Sequence, residues 1–143
     1  MFFAQLHPML VHFPVGLLVS GVVFEFYGSF QKEESAKEAG RFNIRFGTCV
    51  ALFVAGVGLL ALWGLELKGD ARQYVGYHLM LALATIVIFG FAIGVTRWFR
   101  HHHWCRTLYL GLILVGLASV MSTGYFGGEL VHRFGVATLQ PVE

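Results

Sequence analysis

The sequence predicts an all-α membrane protein, a four-transmembrane-helix up-down bundle with both termini on the non-cytoplasmic side. Three observations predict it. Of 143 residues, 57% are hydrophobic and 13% charged, whereas soluble domains hold nearer half and a quarter. Four apolar stretches approach the roughly 20 residues that cross a bilayer; with their short connections they use nearly the whole chain, leaving one domain, 1–143, and no soluble part. The Lys and Arg residues gather in two of the connections, as the positive-inside rule expects.

The first span is expected at about 9–30. The residues before it, Met1 to Leu6, carry no basic side chain and no small-residue cleavage site. They do not read as a secretory signal, so the span is expected to stay attached. The segment Gln31 to Arg41 follows, charged and rich in good helix formers; it is the longest connection, and a helix should extend through it beyond the bilayer. The second span is expected at about 46–65. A short, nearly neutral connection, Glu66 to Arg72, suits a tight turn between antiparallel helices. The third and fourth spans are expected at about 75–96 and 107–126, joined by a strongly basic loop.

Lys32, Lys37, Arg41 and Arg45 lie in one loop and Arg97, Arg100 and Arg106 in the other, against Lys68, Arg72 and Arg133 on the opposite side. The two richer loops therefore face the cytoplasm. These residues orient the chain; with a net charge of only +2 they give no reason to expect nucleic-acid binding. Trp63, Tyr74, Tyr77, Trp98, Trp104, Tyr109 and Tyr125 lie near span ends and read as an aromatic belt. Gly90 and Gly94 have the small-xxx-small spacing of close helix contacts, with Gly56, Gly58, Gly111 and Gly116 as further packing glycines. The run Gly56-Val57-Gly58 resembles a dinucleotide fingerprint only superficially, because no strand precedes it.

Chemistry is expected from histidines. Three of the seven, His101, His102 and His103, belong to the basic loop, where solvated headgroup contacts explain them. The other four, His7, His12, His78 and His132, come to the outer half of an up-down bundle. Ionisable groups within spans are functional candidates, and neutral imidazole is a common metal ligand and an axial ligand of haem. Spans one and three are diagonal neighbours in such a bundle, so His12 and His78 are the first pair expected to grip a porphyrin. His7, five residues earlier, would point about 140° away from His12 on a regular helix, although Pro8 disturbs that geometry. It suits a second site, with His132 as partner if Gly127-Gly128 lets the chain turn back after span four.

Arg72 and Arg133, on the outer side, could pair with haem propionates. Glu25, near the inner end of span one, should pair with Arg41, Arg45 or Arg97. Cys49 and Cys105 lie at reducing span ends, where a structural disulfide is not expected. No Cys-x-x-Cys-His is present, so any haem would be non-covalent, of b type.

Two segments, Leu6-His7-Pro8-Met9-Leu10-Val11-His12-Phe13-Pro14 and Thr123 to Val136, together with His78 opening the third span, resemble the bacterial membrane proteins called domain of unknown function 2231. The resemblance covers essentially the whole chain. It implies a four-span, multi-pass protein of the bacterial inner membrane, in a family some of whose members are fused to cytochrome c or Rieske-type domains, which points to electron transfer by association.

The reading that follows is a haem b-binding electron-transfer subunit. His12 and His78 would be its axial ligands, and it would exchange electrons with a cytochrome or quinol on the periplasmic side. One or two haems would be bound, with a quinone as a further candidate ligand, and His7 and His132 would form a second site. The expected partners are the lipid bilayer and redox proteins of cytochrome c or Rieske type. The alternatives are an anchor subunit of a respiratory membrane complex and a copper or zinc site formed by the same histidines. Nothing resembles a nucleophile with its base, or paired carboxylates in a cleft, so a stand-alone enzyme is the less expected reading.

Overall fold

The structure, a computed structural model, describes residues 2–63, 69–99 and 101–136. Five helices follow one another: α1 (Phe2–Leu10), α2 (His12–Gln31), α3 (Glu34–Leu62), α4 (Asp70–Trp98) and α5 (Cys105–His132). Four segments, Leu6–Gln31, Glu34–Leu62, Asp70–Trp98 and Cys105–His132, are long and apolar enough to cross a membrane. The chain is therefore a four-span, multi-pass membrane protein, as its composition predicts. The predicted spans fall inside these segments except at the end of the second, where Trp63 lies past the end of α3 and 64–65 lie outside the described residues. The helices are longer than the hydrocarbon layer, since hydropathy sees only the apolar part of each.

The first span is broken near its start. Pro14 supplies no N–H, and its ring crowds the carbonyl four residues earlier, that of Leu10. Helix α1 ends at Leu10, and α2 begins at His12 after the single residue Val11. Helix α1 lies against α3.

The charged connection Gln31–Arg41 is almost entirely helix, as its composition suggests. Only Lys32 and Glu33 are non-helical; Lys32 is left-handed at φ 57°, and the Glu33 N–H donates to the Gly28 carbonyl at 2.9 Å. This turn folds α3 back along α2. Their contact is made by glycines seven residues apart on each helix, Gly21 and Gly28 on α2 with Gly40 and Gly47 on α3. A Cβ on Gly40 would stand 2.8 Å from Glu25 Cγ and 2.9 Å from the Gly21 carbonyl, and one on Gly21 would stand 2.8 Å from Ile44 Cγ1. Lipid tails are as apolar as the side chains, so close van der Waals approach is what holds such helices together. The Gly90/Gly94 pair, expected to do this, does not: Gly90 faces open space, and Gly94 lies under Trp98 of its own helix.

Helices α4 and α5 form the second hairpin. Gly116 receives the Phe89 ring, and the Thr85 and Ser119 hydroxyls meet at 2.8 Å. The hairpins join through α2 with α5 and α3 with α4, which leaves spans one and three diagonal. Leu18, Val22 and Ile44 of the first hairpin and Phe89, Ala92, Tyr109 and Ile113 of the second fill the centre, with Phe89 and Ile113 0% exposed. Large apolar side chains, Phe53, Met80, Leu83, Val115 and Met121 among them, cover the outside, as lipid contact requires.

Candidate functional site

Two polar clusters are set in this apolar frame, one at each end. At the end carrying α1 and the last turns of α5, His7 and His78 face each other across the gap between the hairpins. Their ring centroids are 6.2 Å apart and their planes stand at 87°. His7 Nδ1 donates to the Val54 carbonyl on α3 at 3.2 Å, and His78 Nδ1 donates to the Thr123 carbonyl on α5 at 3.0 Å. Because a carbonyl can only accept, both Nδ1 atoms carry the proton. Each Nε2 is left with a free lone pair, which is how a second hydrogen bond orients a ligating imidazole.

Glycines make room for both rings. A Cβ on Gly58 would meet His7 Cε1 at 2.8 Å, and one on Gly127 would meet His78 Cε1 at 3.2 Å. Below His78 a ladder of hydroxyls closes the α4–α5 seam: Thr123 Oγ1 donates to the Ser119 carbonyl at 2.8 Å, and Ser119 meets Thr85. Above it, one turn outward on α4, Tyr74 packs against Phe126 and Phe134, and Arg133 lies over its ring at 5.6 Å. Arg133 donates to Tyr74 Oη at 3.1 Å and pairs with Glu129 at 3.6 Å.

The pair expected from the sequence was His12 with His78; the pair brought together is His7 with His78. His12 is exposed. The five-residue step sets the two histidines on different sides of the helix, and α1, which lies against α3, carries His7 inward. His132 is also exposed and does not meet His7. Gly127 and Gly128 do not turn the chain back, because α5 stays helical through His132 and the turn comes at Gly135, φ 62°. Arg72 is exposed on α4, about 160° around the helix from Tyr74 and about 120° from His78 at 100° per residue, so it does not share the His78 face as Tyr74 does.

At the opposite end Glu25 is 0% exposed. Its partners lie on α5 and are not the expected Arg41, Arg45 or Arg97. Tyr109 Oη donates to Oε1 at 2.8 Å, and Arg106 Nη1 lies 2.8 Å from Oε2, an ion-pair contact whose angle falls short of a hydrogen bond. Arg106 also donates to Ser29 Oγ and stacks over the Tyr109 ring at 5.5 Å. Tyr109, placed in the aromatic belt by its position near a span end, is 2% exposed and belongs to this cluster. Among the described residues no three His, Cys, Asp or Glu side chains converge as a metal site. Cys49 is exposed, and Cys105 is buried with Sγ 3.5 Å from the Val95 carbonyl.

Sequence reasoning missed Val54, Gly58, Thr123, Gly127, Tyr109 and Arg106. Two of these had a readable signal, since Arg106 and Tyr109 stand three residues apart on one face of a helix and could both reach a carboxylate. Carbonyl partners such as those of Val54 and Thr123 leave no signature, because any residue supplies the same oxygen.

A family model described as "Predicted membrane protein (DUF2231)" matches residues 4–140. No curated protein matches the chain. No solved structure matches it either.

Proposed function

The chain belongs to this family of predicted membrane proteins, and from that premise we propose that it binds haem b between His7 and His78 and passes electrons at that end of the bundle. The observation that carries the reading is the imidazole pair itself. A metal–imidazole bond is about 2.0 Å long, so two rings ligating one ion from opposite sides have centroids about 6 Å apart. The separation of 6.2 Å fits, and both Nε2 lone pairs are free.

The donor count separates haem from a bare metal. Structural and catalytic zinc take three or four protein ligands, and only two histidines meet here, with no third ligand among the described residues. Haem iron receives four nitrogens from its own macrocycle and needs only axial ligands from the protein. When bound, the haem supplies one-electron chemistry. The chain's own residues hold the imidazoles by Val54 and Thr123, keep water out with the apolar spans, and offer the Arg133 guanidinium, one turn outward of His78, to the propionates. In the positive-inside orientation this end faces away from the cytoplasm of a bacterial inner membrane. A cytochrome c, a Rieske-type protein or a quinol could exchange electrons there.

The test is a reduced-minus-oxidised absorption spectrum of the detergent-purified protein, with a pyridine haemochrome assay. Wild type and His12→Ala should show b-type bands, and His7→Ala and His78→Ala should lose them. A colourless, folded wild type would overturn the reading in favour of an anchor subunit. Loss of the bands in His12→Ala with retention in His7→Ala would restore the pair first expected.

A further inference from the structure

At the basic end an open groove of ≈ 540 Å³ runs between α3 and α4, lined by Arg45, Gly90, Ile93, Gly94, Arg97 and Trp98. We propose that it binds an anionic phospholipid, with the headgroup phosphate held by Arg45 and Arg97 and an acyl chain laid along α4. Both arginines are exposed, and neither makes an ion pair or hydrogen bond with a described residue. No acidic residue lines the groove, and of the acids on this side Glu25 is paired with Arg106 and Glu34 with Lys37. Two guanidinium forks at the end of a span match a phosphate better than any neutral occupant, because each can donate two parallel hydrogen bonds. Basic pockets between helices at the inner end are where such headgroups bind.

The floor of the groove fits the rest of the lipid. A Cβ on Gly90 would meet nothing within 4 Å, and the Trp98 ring lies against Gly94, at the depth where indole rings meet headgroups. Toward the bilayer centre the same face of α4 continues as exposed Val87 and Leu83, an apolar track for an acyl chain. A second copy of this chain would fit the groove poorly, since a two-fold contact would bring unpaired arginines toward each other.

The protein is delipidated in mild detergent, phosphatidylglycerol or phosphatidylcholine is added back at equal mole fraction, and bound lipid is counted by native mass spectrometry. Wild type should retain phosphatidylglycerol preferentially. Removing a basic residue at a lipid site weakens binding about fivefold, so the double variant Arg45→Gln/Arg97→Gln should bind about twenty-five-fold less. Lys32→Asn, which removes an exposed charge at the same end, should bind as wild type does. Gly90→Leu keeps both charges, fills the groove and should also lose the lipid, which provides a test even if the double variant fails to fold. Equal retention of the two lipids, unchanged binding in Gly90→Leu, or full displacement by millimolar inorganic phosphate would overturn the proposal. Dissociation of a dimer in Gly90→Leu would do the same, in favour of a second copy.

Discussion

Replacing Gly40 by alanine should force α2 and α3 apart and destabilise the protein, against the usual benefit of putting alanine in a helix. The new Cβ would lie 2.8 Å from Glu25 Cγ, 2.9 Å from the Glu25 nitrogen and 2.9 Å from the Gly21 carbonyl. Two of those three atoms are backbone, so no rotamer change relieves them. Ordinary carbon contact is roughly 3.5 Å, and an opening of roughly 0.6 Å already forfeits a quarter to a half of the dispersion energy along the seam. Overpacking of this kind costs about 1–3 kcal/mol, more than the gain of up to about 1 kcal/mol that alanine brings over glycine inside a helix.

Gly111 is the internal control, being exposed in the second turn of α5 with nothing within 4 Å of its ideal Cβ. There the propensity gain stands alone, so Gly111→Ala should be neutral or slightly stabilised. Both variants can be compared with wild type by unfolding in mixed micelles of increasing denaturing-detergent fraction, followed by far-UV circular dichroism. The two changes should have opposite signs. If Gly40→Ala were as stable as Gly111→Ala, the α2–α3 seam would not depend on close approach at Gly40.

Tyr109→Phe removes the hydroxyl that donates to the buried Glu25 carboxylate at 2.8 Å and should cost about 1.5–3 kcal/mol in the same unfolding assay. In a double-mutant cycle with Glu25→Gln the two changes should couple by at least about 0.5 kcal/mol; strict additivity would mean that the bond contributes nothing. Thr85→Val removes the hydroxyl shared with Ser119 and should cost less, about 0.6 kcal/mol, the usual value for a neutral bond between membrane helices. Gly58→Ala presses a methyl onto the His7 ring, whose Cε1 is 2.8 Å from the ideal Cβ. It should leave stability nearly unchanged while weakening the haem bands, and Gly56→Ala, which meets open space, should leave them intact.

The spans were legible because crossing a bilayer needs length and apolarity, which composition records directly. The extension of α3 into the charged segment was legible through Glu34, Ala36, Lys37 and Glu38, all good helix formers. The α2–α3 seam is legible in the seven-residue spacing of Gly21 with Gly28 and of Gly40 with Gly47, whereas the shorter Gly90/Gly94 spacing is one that a lone helix shows without any partner. Which histidine faces inward was not legible from spacing alone. The sequence shows that His7 and His12 point apart; the packing of α1 against α3 decides which of them meets His78. Glu25's partner was hidden for a related reason, since the loop arginines compete for it and only the rotation of α5, set by Tyr109 and Ile113 turning inward, brings Arg106 to it.

The two polar clusters do different mechanical work. Within each hairpin, small residues and hydroxyls bring the helices together: Gly21, Gly28, Gly40 and Gly47 in the first, Gly116, Thr85 and Ser119 in the second. Between the hairpins, every side-chain hydrogen bond and ion pair among the described residues lies at the basic end, where Arg106 and Tyr109 of α5 hold Glu25 and Ser29 of α2. Past the apolar centre, at the other end, the hairpins face each other through His7 and His78, each bonded to its own side and neither bonded to the other. Among the described residues the bundle is thus fastened across its two halves by side-chain bonds at one end; at the other, where the chain passes from α3 to α4, no side-chain bond joins the halves and the two imidazoles face each other. A group ligated by both imidazoles would supply the missing tie, so its binding should raise the unfolding midpoint of wild type and leave that of His7→Ala unchanged.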